Sequence, residues 1–234
     1  TQVLRLYTAY QQAEESGKAD RLVRAWLAEH PADVAVRVAL PVGAHCADHP
    51  EWLLAADWPG TAGRAPLEVV LHHENLEIRP YTTGFAAMVG EGAAPDPPQI
   101  GVALMTPQAR GRITLLSADL QVPPRIEHRY DTESQDLDAL RRGMDLAQHL
   151  AGVKSDGAEP RWSTSQHLCG SAPIGTDTDP YAVLDAQCRV RGVDGLWVID
   201  GSALPRITSR GPHATIAMLA HRAGLLLCGQ DRSR

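Results

Sequence analysis

The stretch from Trp162 to Thr215 constrains this chain most strongly. It contains two histidines, His167 and His213, in turns rich in glycine and serine, and between them an apolar run that ends at Asp200. A turn can aim an imidazole into a cleft while rigid elements hold the turn in place, and histidine titrates near neutral pH. The pattern therefore predicts a site at which these two histidines take part in chemistry.

The same stretch resembles the C-terminal signature of the glucose–methanol–choline (GMC) oxidoreductases, which are FAD-dependent alcohol oxidases and dehydrogenases. That signature consists of a His-x-x-Gly-Ser/Thr turn, a Val-x-Asp segment, an Arg-Val-x-Gly-Val-x-Gly-Leu-x-Val-x-Asp-x-Ser run and an Ala/Pro-Thr-Ile helix start. The chain carries these motifs in the same order, at residues 167–171, 183–185, 189–202 and 214–216. Several motifs in the right order make a specific match, whereas a lone His-x-x-Gly would be weak.

The resemblance implies catalytic roles for both histidines. His167 would be the general base that accepts the hydroxyl proton of a small-molecule alcohol, while the hydride on the carbon passes to flavin N5. The family's second active-site position is His or Asn, shortly before the terminal helix, and His213 is the candidate here. A strict alignment on Thr215 puts Pro212 at that position instead. His213 would hydrogen-bond the substrate oxygen alongside His167.

The resemblance also implies which residues contact FAD. Residues 195–200 form a compact apolar run typical of a buried parallel strand, and ligands gather beyond the carboxyl ends of such strands. Asp200 and Gly201 are therefore predicted to contact the flavin, and a turn-capping role is the alternative for Asp200. A helix is predicted to begin near Ala214 and Thr215, where free N–H groups suit a pyrophosphate or the charge of a reduced flavin.

Residues 40–50 give a second match to the family. They resemble the segment Pro-x-Val-Gly-x-Asn-Leu-x-Asp-His-Pro, which lies over the flavin and lines the route to it. His45 replaces the asparagine of that pattern and Cys46 replaces its leucine. The density of His45, Cys46, Asp48 and His49 also suggests a metal site. The family segment explains the cluster better, and no metal is predicted.

The resemblance and the periodicity together predict an α/β (α+β) fold. An antiparallel-sheet substrate domain would be joined by strands and a helix that complete an FAD-binding Rossmann-like domain. Apolar spacing predicts helices over residues 19–30 and 134–150, and alternation predicts one strand over residues 67–79. Three divisions are predicted. Residues 1–59 are a segment that packs on the flavin domain and includes a flavin-covering loop near 40–50. Residues 60–164 are the substrate-binding region, and residues 165–234 are the active-site loop with the C-terminal part of the FAD domain.

One motif of the family is not found in this sequence. No Gly-x-Gly-x-x-Gly opens a β-turn-α unit, and no Gly-Lys-Ser/Thr loop occurs. GMC enzymes carry an ADP-binding fingerprint in their N-terminal half. We therefore expect the chain to be a C-terminal half that needs a companion chain carrying the N-terminal FAD-binding half.

Composition excludes several classes of partner. The net charge of −6 argues against a nucleic-acid surface, and no apolar run approaches the length of a membrane span. The first ten residues do not have the pattern of a signal peptide. Four scattered cysteines without a Cys-x-x-Cys pair fit reduced thiols better than a zinc site. These features together predict a cytoplasmic protein.

Two other functions remain open at the level of sequence. A GMC-fold hydroxynitrile lyase would use the same histidine as acid and base without net redox chemistry, and a non-catalytic fragment would only bind a partner. The motif at residues 210–215 also resembles a bacterial GMC group associated with mycofactocin, a peptide-derived redox cofactor. That resemblance implies an electron acceptor other than oxygen, although oxidase and dehydrogenase are not separated by any motif in the chain.

Overall fold

The computed structural model of the chain describes residues 40–58, 65–83, 97–117, 121–152 and 158–229. The helix expected at residues 19–30 lies outside these ranges. So does the whole segment before the flavin-covering loop, residues 1–39.

A five-stranded antiparallel sheet forms the centre of the described fold. Its strands are β1 (Pro50–Ala55), β2 (Leu71–His73), β3 (Leu76–Tyr81), β4 (Gln99–Leu104) and β7 (Arg161–Thr164). They lie in the order β2-β3-β4-β1-β7, and every neighbouring pair is antiparallel. Strand β4 lies in the middle and is buried along its whole length. A separate pair of short strands, β5 (Arg112–Thr114) and β6 (Arg125–Glu127), forms a second, two-stranded antiparallel sheet.

Helix α1 (Ser134–Ala151) covers one face of the sheet, as its 3-4 apolar spacing predicts. Its buried Leu140 and Met144 pack with Leu76, Val102 and other strand residues in one hydrophobic cluster. Gly143 permits the close approach, since a Cβ there would lie 2.7 Å from both Leu76 and Val102 side chains. The helix ends at Gly152, whose left-handed backbone conformation caps it.

A second hydrophobic cluster holds the part of the chain that follows β7. It contains Ala172, Val183, Leu184, Val190 and Ala203, and it is built from turns and isolated bridges instead of long strands. A 3₁₀ turn (Gly201–Ala203) and helix α2 (His213–Leu227) follow. Ile216 and Leu219 of α2 are partly buried, and Ala223 is fully buried.

Two sequence-based predictions of local structure are wrong. Residues 195–200 do not form a strand, because the described residues supply no parallel neighbour, and only an Arg189–Trp197 bridge pairs with the run. Residues 67–79 do not form one strand, because the chain turns at Glu74, whose φ is 51°, and only β2 and β3 on either side of this turn pair as a hairpin. His72 and His73 are both exposed on its outer strand.

The predicted α/β (α+β) class with an antiparallel sheet is confirmed. The sheet crosses the predicted division at residue 59, since β1 pairs with both β4 and β7 of the region assigned to substrate binding. Neither described helix combines the length and the apolar character of a membrane span.

Candidate active site

The loop before β1 and the turn after β7 run side by side and build the site. Ala47 and Cys169 exchange two backbone hydrogen bonds of 3.0 and 2.7 Å, and the N–H of Ser165 donates to the carbonyl of His49 at 3.1 Å. Because β1 and β7 are paired neighbours in the sheet, these two irregular segments are held in register just beyond the strand ends. The pairing brings His49 next to His167, which lies 118 residues later in the chain.

The carboxylate of Asp48 fixes the two segments to each other. Its Oδ1 accepts the backbone N–H of His49 at 2.8 Å and that of His167 at 2.9 Å. Its Oδ2 accepts the hydroxyl of Tyr130 at 2.5 Å and the hydroxyl of Thr164 in a short contact. Asp48 is buried, and its two oxygens together hold the loop before β1, β7 and the turn after it in place.

The turn that carries His167 is bent sharply. Gln166, directly before it, takes a positive φ of 59°, which is uncommon for a residue other than glycine. Its N–H donates to the hydroxyl of Thr164 at 2.8 Å, which holds the turn in this conformation. The bend and the Asp48 contacts together set the direction of the His167 imidazole.

His167 itself is half-buried, and among the described residues its ring is hydrogen-bonded only at Nδ1. Its Nδ1 lies 2.9 Å from Nδ1 of His49, and a Cβ built on Gly211 would lie 3.7 Å from its Cε1 and 3.8 Å from its Nε2. Burial lowers the pKa of His167, and the Arg79 charge lowers it further, while Asp48 and Glu77 oppose the shift. The imidazole is therefore neutral at neutral pH, with its Cε1–Nε2 edge facing a glycine.

A buried charge network lies beneath the turn. Arg79 on β3 donates to Glu77 at 2.7 Å, to Glu51 at 3.3 Å and to the Ser165 hydroxyl at 2.7 Å. The hydroxyl of Tyr81 donates to the other oxygen of Glu51 at 2.9 Å. Ser165 lies two residues before His167, so this network ties the active-site turn to the centre of the sheet.

An open cleft of about 280 Å³ lies in front of His167. Its lining brings together three sequence-predicted site residues, His167, Asp200 and Gly201, with Pro212 and Ile216 at the start of α2. Cys169 also lines the cleft, but burial and the nearby carboxylates raise the pKa of its thiol to about 11. It is therefore a protonated, unreactive thiol at neutral pH.

Asp200 caps the 3₁₀ turn beside the cleft. Its Oδ1 accepts the N–H of Ser202 at 2.8 Å and the hydroxyl of Ser202 at 2.5 Å. The turn-capping role that was the alternative for Asp200 is thus present, and the residue also lines the cleft with an exposed side chain. Gly201 packs against α2, because a Cβ there would lie 3.2 Å from Cδ1 of Ile216.

The remaining predicted residues begin helix α2. His213 is the first helical residue, with Pro212 in the N-cap position, and Ala214 and Thr215 complete the start of the first turn. The side chain of His213 is exposed, and it is Pro212 that lines the cleft. The N–H groups of the first turn have no partner within the helix and point towards its N-terminal end.

His49 contacts His167, and sequence reasoning gave it no catalytic role, because the Asp48-His49-Pro50 segment was attributed to a flavin-covering loop. His45, in the same loop, stacks on Tyr181 with ring centroids 4.6 Å apart. Among the described residues no group of three or more His, Cys, Asp or Glu side chains is placed to hold a metal ion.

Comparison with known proteins identifies the family. Residues 107–220 match the family described as GMC oxidoreductase. An uncharacterized GMC-type oxidoreductase encoded in the thcA 5′ region of Rhodococcus erythropolis is 38% identical over 87% of this chain and 45% of its own length. The glucose dehydrogenase [FAD, quinone] of Drosophila pseudoobscura pseudoobscura is 32% identical over 55% of this chain and 25% of its own length.

A solved structure shows the same fold. Pyridoxine 4-oxidase from Mesorbium loti superposes with a TM-score of 0.66 at 20% identity, over 86% of this chain and 47% of that one. The chain belongs to the GMC oxidoreductase family, which confirms the sequence-based prediction. It spans about half the length of the most similar of these proteins.

Proposed function

We propose that this chain supplies the substrate-facing part of an FAD-dependent enzyme that oxidises an alcohol to a carbonyl compound, with His167 as the general base. The observation that carries the proposal is the position of His167, whose Nε2 edge faces Gly211 beside the cleft shared with Asp200 and Gly201, and burial lowers its pKa. A base of this kind must be unprotonated at working pH and must reach the reacting proton.

The start of α2 suits the cofactor. The N–H groups of its first turn, at His213, Ala214 and Thr215, have no partner within the helix and can donate to an anionic or carbonyl oxygen of a flavin. Asp200 and Gly201 line the same cleft as Pro212, and Asp200 offers a carboxylate there. FAD, when bound here, supplies the acceptor for the hydride that leaves the alcohol carbon.

The reaction leaves the protein with one task, the removal of the hydroxyl proton. That proton passes to Nε2 of His167 as the C–O bond becomes a carbonyl, and the exposed part of the imidazole returns it to solvent. His213 remains the predicted second donor to the substrate oxygen. Because its side chain is exposed and Pro212 lines the cleft, we expect His213 to contribute less than His167.

The test is anaerobic mixing of the flavin-loaded protein with a panel of small primary and secondary alcohols. We expect the visible flavin band to bleach with at least one alcohol. The variant His167→Ala should lower the bleaching rate by about 10²–10⁴-fold, which is the usual contribution of a general base. The variant His213→Ala, matched in chemistry, should have the smaller effect.

Other outcomes would point elsewhere. Release of cyanide from hydroxynitriles without bleaching would favour the lyase, and an unchanged rate in His167→Ala would refute the assigned base. Intact mass of every chain in the flavin-containing material tests the predicted companion chain. The link to mycofactocin, which implies an electron acceptor other than oxygen, stays a prediction. The same flavin-containing preparation can be used to test it.

A further inference from the structure

The carbonyl of Thr208 determines which nitrogen of His49 carries a proton. His49 Nε2 lies 2.8 Å from that carbonyl oxygen, and a carbonyl can only accept a hydrogen bond. His49 therefore carries a proton on Nε2. Thr208 is in the segment that leads to α2, so this bond also ties that segment to the loop before β1.

His49 is neutral, so its other nitrogen is an acceptor. Its side chain is fully buried, with 0% exposure. Burial lowers its pKa to about 4, with the carbonyl of Thr208 and Asp48 opposing the shift and His167 and Arg79 adding to it. A neutral imidazole with a proton on Nε2 has a lone pair on Nδ1.

The contact between the two imidazoles then has a single direction. Nδ1 of His49 lies 2.9 Å from Nδ1 of His167, with the ring planes at 87° and the centroids 5.1 Å apart. Since Nδ1 of His49 accepts, Nδ1 of His167 must donate. A neutral His167 with its proton on Nδ1 has its lone pair on Nε2.

From this chain of hydrogen bonds we infer that His49 is a positioning residue for His167. It accepts the Nδ1 proton of His167 and so keeps Nε2 of His167 unprotonated on the edge that faces Gly211. The inference concerns a residue that acts through His167, and it rests on the proposed function of His167 as the base. Asp48 supports the arrangement, because its Oδ1 accepts the backbone N–H of both histidines.

The first test reads the tautomer directly and needs no turnover. The native, FAD-loaded protein labelled with 15N-histidine is examined by NMR, and the signals of His167 are assigned by their loss in His167→Asn. We expect a proton on Nδ1 of His167 and on Nε2 of His49. A proton on Nε2 of His167 would overturn the inference without any further variant.

The second test compares two substitutions of nearly the same shape, His49→Asn and His49→Leu. Both lose the hydrogen bond to Thr208, so damage to that contact is common to the pair. Asn keeps an oxygen that can accept the Nδ1 proton of His167, whereas Leu does not. We expect His167 to keep its Nδ1 proton in His49→Asn and to redistribute it towards Nε2 in His49→Leu.

The kinetic consequence separates this inference from the proposed function. With His167 as base, we expect kcat/KM of His49→Leu to be about 10–100-fold below that of His49→Asn, a smaller loss than the roughly 10²–10⁴-fold contribution of the general base itself. The same Nδ1 tautomer in both variants would overturn the positioning role. Tautomers that differ as expected, together with equal rates, would support the positioning and contradict the assignment of His167 as base.

Discussion

At the scale of single residues, the site depends on Asp48 and its many donors. One buried carboxylate accepts two backbone N–H groups and two hydroxyls, which come from the loop before β1, the strand β7, the turn after it and Tyr130. The hydroxyl of Tyr130 is in turn held as a donor, since burial and the hydrogen bond to Asp48 raise its pKa. Asp48 thus fixes the His167 backbone, while His49 fixes the ring.

The pKa of His167 gives a prediction for the pH dependence of alcohol oxidation. Burial and Arg79 lower that pKa below the ordinary value of 6.5. Because the base must be neutral, kcat/KM should rise with pH through a pKa below 6.5 and then level off before neutrality. A pH profile of flavin bleaching under anaerobic conditions checks this.

The control for that profile is His167→Asn, which should remove the acidic limb together with most of the rate. A limb that persists unchanged in the variant would assign the ionisation to another group. A limb centred above 6.5 in the native protein would contradict the lowered pKa.

Much of the residue-level site was predictable from motifs, and one part was not. His167, Asp200 and Gly201 were predicted from the ordered motifs of residues 167–202 and lie together at the cleft. His49 was not assigned a role, because its contact with His167 spans 118 residues and no local pattern reports it. Its sequence signals were an Asp-His pair next to Pro50 and a place in the cluster that suggested a metal site, and neither pointed to His167 as a partner.

At the scale of elements, strand β3 carries an unusual pair of charges into the sheet. Glu77 and Arg79 stand two residues apart on one face and are both buried, and Glu51 of β1 approaches them across β4. Gly101 on β4 leaves the room, because a Cβ there would lie 2.3 Å from Oε1 of Glu51. Buried charges of this kind are tolerated only when they are paired.

Removal of the cation should therefore destabilise the fold strongly at neutral pH. Arg79→Met removes the buried cation that Glu51 and Glu77 share, and we expect a loss of about 3–5 kcal/mol in the free energy of unfolding at pH 7. Burial already raises the pKa of Glu51, and Arg79 opposes that shift. Without Arg79 the folded-state pKa rises further, so the loss should shrink as the pH falls and Glu51 takes up a proton.

Urea unfolding at pH 7 and pH 5 measures the difference. The matched control is Arg141→Met on the exposed face of α1, where the pairing with Asp138 is solvent-exposed and should contribute about 0–1 kcal/mol. Equal effects of the two substitutions would contradict a structural role for the buried network. A loss that grows towards pH 5 would contradict its electrostatic origin.

The elements also show where sequence patterns fail. Helix α1 was predicted almost to the residue, because its apolar spacing is local and Gly152 marks its end. The run at residues 195–200 is equally apolar, but a strand exists only when a neighbour pairs with it, and periodicity carries no information about neighbours. The hairpin was missed for a different reason. Glu74 takes a positive φ in its turn, and glutamate is not a residue type that indicates such a conformation in a sequence.

At the scale of the whole molecule, helix α2 has more apolar surface than the described residues cover. It is rich in Ala, Leu, Ile and Met, yet Ala223 is its only fully buried residue within the described part of the chain. Met218 is 66% exposed and Leu227 is 52% exposed. A helix that is apolar around most of its circumference is ordinarily buried. Since the similar proteins are about twice the length of this chain, we expect the FAD-binding part of the enzyme to cover α2.

The substitution Met218→Gln tests that expectation, because Gln has nearly the helix propensity of Met but resists burial. In the native, flavin-loaded protein we expect a loss of about 1–2 kcal/mol in the free energy of unfolding, together with faster release of flavin, because apolar contact area at α2 is lost.

The control is Leu150→Gln at the end of α1, which is 58% exposed and should change stability by no more than ~0.5 kcal/mol. Urea unfolding followed by flavin fluorescence measures both quantities. If the two variants behave alike, the exposed face of α2 is a solvent face, and the FAD-binding part must contact the chain through the cleft residues instead.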